Sequence, residues 1–150
     1  MIGKETSWVK ARANCNSENI FKELSKILKD DVNKFNRLTE SQRGKRSFLT
    51  VNQDNCLHVF RACIGKNVAG EDILIKHQDY QDDSDQRVDF MLEQESFISR
   101  RGNLWEVKIS FKWNPESLDC DYFVDEEMVT DKWISQKILG DFMFESLPVT

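Results

Sequence analysis

Histidine is scarce in this 150-residue chain: His58 and His77 are the two copies, so any histidine-based triad has to use one of them. The nucleophile elbow GxSxG is missing, and so is the phosphate-cradling GxxxxGK[ST] loop. The four cysteines, Cys15, Cys56, Cys63 and Cys120, contain no CxxC pair, and Cys56, His58 and Cys63 do not match a zinc motif. No apolar run approaches the roughly 20 residues that span a bilayer. Neither a basic, apolar leader nor a lipidation motif is seen: Ile2 follows Met1, and the end LPVT carries no cysteine. These absences lead to expectations of reduced thiols, a cytoplasmic location, no membrane, no cofactor and no metal site. They favour a non-enzymatic protein.

Hydrophobic residues make up 39% and aromatics 11% of the chain, which supports a packed interior despite 31% charge. A chain of this length buries about 70% of its unfolded surface, so residues 1–150 read as one domain. The net charge of −5 speaks against sequence-independent nucleic-acid binding, which needs a surplus of Lys and Arg. The basic residues Arg37, Arg43, Lys45, Arg46, Arg87, Arg100 and Arg101 would form a patch only if their loops converge.

The strongest pattern runs from Leu104 to Val124. Trp105, Val107, Ile109, Phe111 and Trp113 alternate with Glu106, Lys108, Ser110 and Lys112, the period of a half-buried strand. After the breakers Asn114 to Ser117, Leu118, Cys120, Tyr122 and Val124 alternate with Asp119, Asp121 and Phe123. With those four breakers as the loop, Trp113 lies opposite Leu118, Phe111 opposite Cys120 and Lys112 opposite Asp119. The outer row of Lys108, Lys112, Asp119, Asp121 and Phe123 is the candidate binding surface.

Elsewhere, Ser7 to Ala13 reads as a short strand, and Ser17 caps a helix that reaches Leu38 with an apolar stripe from Ile20. Strands follow at Phe48, Leu57, Asp72 to His77, Arg87 to Glu93 and near Phe97, with Asp54 and Asn55 as a hairpin turn that sets Val51 opposite His58. Thr130 or Asp131 caps a final helix through Trp133, Ile134, Ile138, Phe142 and Met143, and Val129 is placed to staple onto Ile134. His58 reads as a hydrogen-bonded core histidine. The acidic loop from Asp79 to Asp85 lacks EF-hand spacing and reads as solvated.

The fold expected is therefore α+β: a curved antiparallel sheet of six to seven strands packed against a long N-terminal helix and a shorter C-terminal one. In outline alone, with no shared motif, the order of elements is similar to helix-grip domains. That likeness implies a cavity between sheet and helices, lined by residues such as Phe60, Phe90, Trp105, Phe111 and Trp133. The function expected is protein–protein interaction through an exposed sheet face. The alternative is a cavity domain that takes a small hydrophobic ligand or acts as an enzyme.

Overall fold

The computed structural model describes residues 2–40, 46–66, 68–69, 72–77 and 87–145. The helices are α1 (Ile2–Asn14), α2 (Ser17–Leu38) and α3 (Asp131–Phe144). Between α2 and α3 run eight strands: β1 (Arg46–Gln53), β2 (Cys56–Lys66), β3 (Asp72–His77), β4 (Arg87–Glu93), β5 (Ser96–Arg101), β6 (Trp105–Asn114), β7 (Asp119–Val124) and β8 (Glu127–Val129). They form an antiparallel sheet in the order β1-β2-β4-β5-β6-β7-β8, with β3 paired to β2 off this path. The fold is thus α+β, with a long early helix and a shorter final one.

Local chemistry explains most boundaries. Asn16, one residue before the expected cap, accepts from the Asn19 N–H at 3.0 Å and starts α2. The stripe Ile20, Leu24, Leu28, Val32 and Phe35 is buried at helical spacing, while Leu38 is 71% exposed and drops off its end. Asp54 and Asn55 both have positive φ, 47° and 59°, which gives the twist of a two-residue hairpin turn and sets Val51 opposite His58 as the sequence indicates. Asp125 and Glu126 repeat the device between β7 and β8. Thr130 caps α3 by accepting from the Trp133 N–H at 3.1 Å.

Three expectations are corrected. Residues 7–13 belong to helix α1 rather than a strand. The segment Val9 to Ala13 carries two alanines and two basic residues, which favour helix, and its alternation is too short to specify a strand. In the β6–β7 hairpin, Trp113 pairs with Cys120, Phe111 with Tyr122 and Lys112 with Asp121, two residues away from the expected register. Asn114 causes the shift by staying in the ladder opposite Asp119, accepting on its side chain from the N–H groups of Glu116 and Ser117, and on its carbonyl from Leu118. A slip of two keeps each row on its own face. Third, Cys15 and Cys120 form a disulfide across 105 residues of sequence, so they are not reduced thiols. Such bonds persist in oxidising compartments, which removes the thiol argument for a cytoplasmic location.

The three helices α1, α2 and α3, as far as the described residues go, cover one face of the sheet. Phe90 stacks against Phe21 of α2 at 5.3 Å and against Phe97 at 5.7 Å. Phe142 of α3 meets Phe48 at 5.2 Å, and the disulfide, with Arg12 over the Trp113 ring, places α1 at β7. At the sheet edge, Asn36 of α2 donates to the Phe48 carbonyl at 2.8 Å and accepts from its N–H at 3.0 Å, pairing outward backbone groups of β1 that would otherwise template another strand.

The C-terminal end of α3 is clamped by charge. Arg61 and Arg101 both donate to the Glu145 carboxylate and both lie over the Phe142 ring, at 5.2 and 4.8 Å. Hydrogen bonding from Arg101, reinforced by Arg61, holds the Glu145 carboxyl below its ordinary value despite some opposing desolvation. A depressed carboxylate stabilises the fold above its unfolded pKa, and that contribution fades as pH falls through the folded value. Glu145→Gln is expected to cost about 1–2 kcal/mol at pH 7, a figure set low because the carboxylate is half in solvent. Urea unfolding checks this: the gap between variant and wild type closes under acid, whereas a constant gap contradicts the clamp. For the disulfide, a closed loop of this length predicts about 5 kcal/mol of stabilisation. Wild type under reductant and Cys120→Ser should therefore unfold together, well below the oxidised protein, and equal midpoints for all three would deny the bond.

Candidate functional site

Strand alternation sorts the helix-free face. Lys108, Ser110 and Lys112 of β6 project there, as do Asp119, Asp121 and Phe123 of β7, opposite the row that meets the helices. Lys112, Trp113, Asn114, Pro115, Asp121 and Phe123 line a shallow open depression of about 230 Å³. Asn114 Nδ2 donates to Asp121 Oδ2 at 2.8 Å and fixes the carboxylate beside Lys112. Three of the five expected residues, Lys112, Asp121 and Phe123, thus come together. Asp119 is exposed and accepts from the Cys120 N–H at 2.8 Å, while Lys108 lines a separate depression with Glu93, Gln94, Glu95 and Ser96.

Met128 escapes the sequence reading. It is the cross-strand partner of Phe123 and is 64% exposed. The signal lay in the acidic turn: once Asp125 and Glu126 are the two turn residues, Val124 faces Glu127 and Phe123 faces Met128. A sheet-edge pair of apolar side chains results, on the face that carries Asp121 and Lys112.

Farther along the same face, His58 pairs with Asp89 across β2 and β4, with Nδ1 at 2.6 Å from Oδ1. Cys56 Sγ lies 3.7 Å from the same nitrogen, and Arg87 Nε lies 2.9 Å from the same oxygen. Asp89 is 4% exposed, and Ser99 Oγ donates to its carbonyl at 2.8 Å. His58 is therefore hydrogen-bonded, as expected, though to a carboxylate on the face away from the helices. The arrangement is not a nucleophilic relay, because thiol and carboxylate meet one imidazole nitrogen instead of opposite nitrogens. Burial, followed by the Asp89 charge, pushes the Cys56 thiol up to about 11.

Among the described basic residues, Arg87 and Arg100 come together beside Asp89, whereas Arg101 reaches Glu145 on the helix-covered side. Arg43, Lys45, the side chain of Arg46, the acidic loop from Asp79 to Asp85 and the His77 side chain lie outside the described residues. The residues expected to line a cavity do not line one together. Phe90 is packed within its aromatic stack, Phe60 alternates to the helix-free face, and Trp133 is 41% exposed beside Met128 and Val129. Among the described residues no helix is long and apolar enough to cross a membrane. Set beside protein-family models, curated proteins and solved structures, the chain matches none.

The raised Cys56 thiol predicts poor nucleophilicity. Iodoacetamide at pH 8 is expected to modify it about tenfold more slowly in the folded protein than in the unfolded chain, allowing for the greater intrinsic reactivity of a more basic thiolate. Peptide mapping reads the rate, and equal rates in the two states would contradict the burial.

Proposed function

We propose that the protein is a non-enzymatic binding protein that docks another protein on the helix-free face of its sheet, at the β7–β8 edge. The observation that carries this reading is the cross-strand pair of Phe123 and exposed Met128 on the face that also presents Lys112 and Asp121. An apolar centre with a polar rim is the usual anatomy of a protein interface. The depression beside it is open and smaller than the roughly 300–1,000 Å³ clefts that enclose small ligands, which favours a surface contact. Nucleic acid is disfavoured by the Asp119 and Asp121 carboxylates on this face. A cytoplasmic setting remains part of the reading only for a form in which Cys15 and Cys120 are reduced.

A second reading, capture of a small hydrophobic ligand, is supported by a groove of about 330 Å³ between α2 and α3, lined by Phe35, Leu38, Leu139, Met143 and Phe144 among others. Native mass spectrometry of protein purified from its host, beside Met128→Glu and Asp121→Lys, separates the two. The docking reading expects a protein partner on wild type, at least tenfold less on either variant, and unchanged melting. A retained small molecule with no protein partner, or a partner indifferent to both substitutions, would overturn it.

A further inference from the structure

Cys56, His58 and Asp89 bring a thiol, an imidazole and a carboxylate to one point, with a donor atom from each within 4.8 Å of the other two. Cys56 and His58 are two residues apart on β2 and so share a face, and Asp89 is the direct cross-strand neighbour of His58. The donor set is assembled by pairing of β2 with β4, 31 residues apart along the chain, so it is present only in the folded sheet and leaves no spacing motif in the sequence.

We propose that these three side chains form a binding site for a divalent transition cation of the zinc class. Zinc bonds of about 2.3 Å to sulfur and about 2.0–2.1 Å to nitrogen or oxygen separate neighbouring donors by roughly 3.3–3.6 Å in a tetrahedron. The observed Sγ to Nδ1 distance of 3.7 Å is already close to that spacing. The Nδ1 to Oδ1 distance of 2.6 Å is a hydrogen bond, and it opens by less than an ångström when the imidazole gives up its proton and the carboxylate turns toward the ion.

The surroundings support the same assignment. Arg87 Nε, 2.9 Å from Asp89 Oδ1, sets a positive charge against the carboxylate from outside the cluster, as outer partners do around ligating carboxylates. Ser99 Oγ fixes the Asp89 backbone at 2.8 Å. One thiolate and one carboxylate balance a doubly charged ion, so Arg87 gains no net positive neighbour. A mixed sulfur, nitrogen and oxygen set disfavours calcium and magnesium, which take oxygen, and suits zinc or cobalt. Three protein donors leave a fourth position for water.

Cobalt(II) is the probe. Folded wild type, titrated without oxygen or reductant so that the Cys15–Cys120 bond stays closed, is expected to bind one equivalent with a near-ultraviolet thiolate-to-cobalt absorption that zinc displaces. Cys56→Ser should abolish the band, Asp89→Asn should weaken cobalt binding at least tenfold, and Cys63→Ser should leave both intact. Far-ultraviolet circular dichroism confirms that each variant is folded. Absence of the band in folded wild type, or its survival in folded Cys56→Ser, would overturn the site. Neither outcome touches the docking reading, which uses a different end of the sheet.

Discussion

The stack of Phe21, Phe90 and Phe97 is the contact on which the rest depends, because it fixes the side of the sheet that the long helix occupies. Phe90 sits on β4 and Phe97 on β5, third and fourth of the seven strands in the order, so α2 docked there lies near the centre of the sheet, with α3 beside it. The Asp31 carboxylate accepts from Ser135 Oγ at 2.5 Å, and Phe35 meets Phe144 at 5.0 Å, so the two helices join each other as well as the sheet. With α1 bonded to β7 on that same side, every described helix lies on one face. The proposed docking surface and the proposed cation site both lie on the face that this one-sidedness leaves open.

Much of the scaffold is legible in the sequence where a period and a punctuation mark agree. The α2 stripe, the β1–β2 hairpin at Asp54 and Asn55 and the α3 cap at Thr130 each combine both signals, and the structure reproduces them. The β6–β7 hairpin shows how far period alone reaches. Its period of two assigns faces but is indifferent to a slip of two, and the register was decided by the Asn114 side chain bonding into the turn. For α1 the alternation from Val9 to Ala13 spans too few residues to separate a strand from a helix rich in alanine.

The candidate sites were less legible because they arise from pairings between distant residues. Phe123 and Met128 become neighbours through a two-residue turn whose backbone is visible only as an acidic run. His58 and Asp89 meet because β4, not β3, takes the first half of β2, a choice that strand patterns do not encode. Cys15 and Cys120 are 105 residues apart, and no spacing rule connects them. Sequence patterning specified which side chains leave the core. Topology specified which of them stand together.

The central claim is that function resides on the helix-free face. Acetylation footprinting of the lysines in a partner-bound complex tests it most directly, since exposed lysines lie on both sides: Lys108 and Lys112 on the open face, Lys22, Lys26, Lys132 and Lys137 on the helices. The account predicts that partner binding protects Lys112 most strongly and leaves the helix lysines as reactive as in the free protein. Protection of the helix lysines with Lys112 unchanged would contradict it.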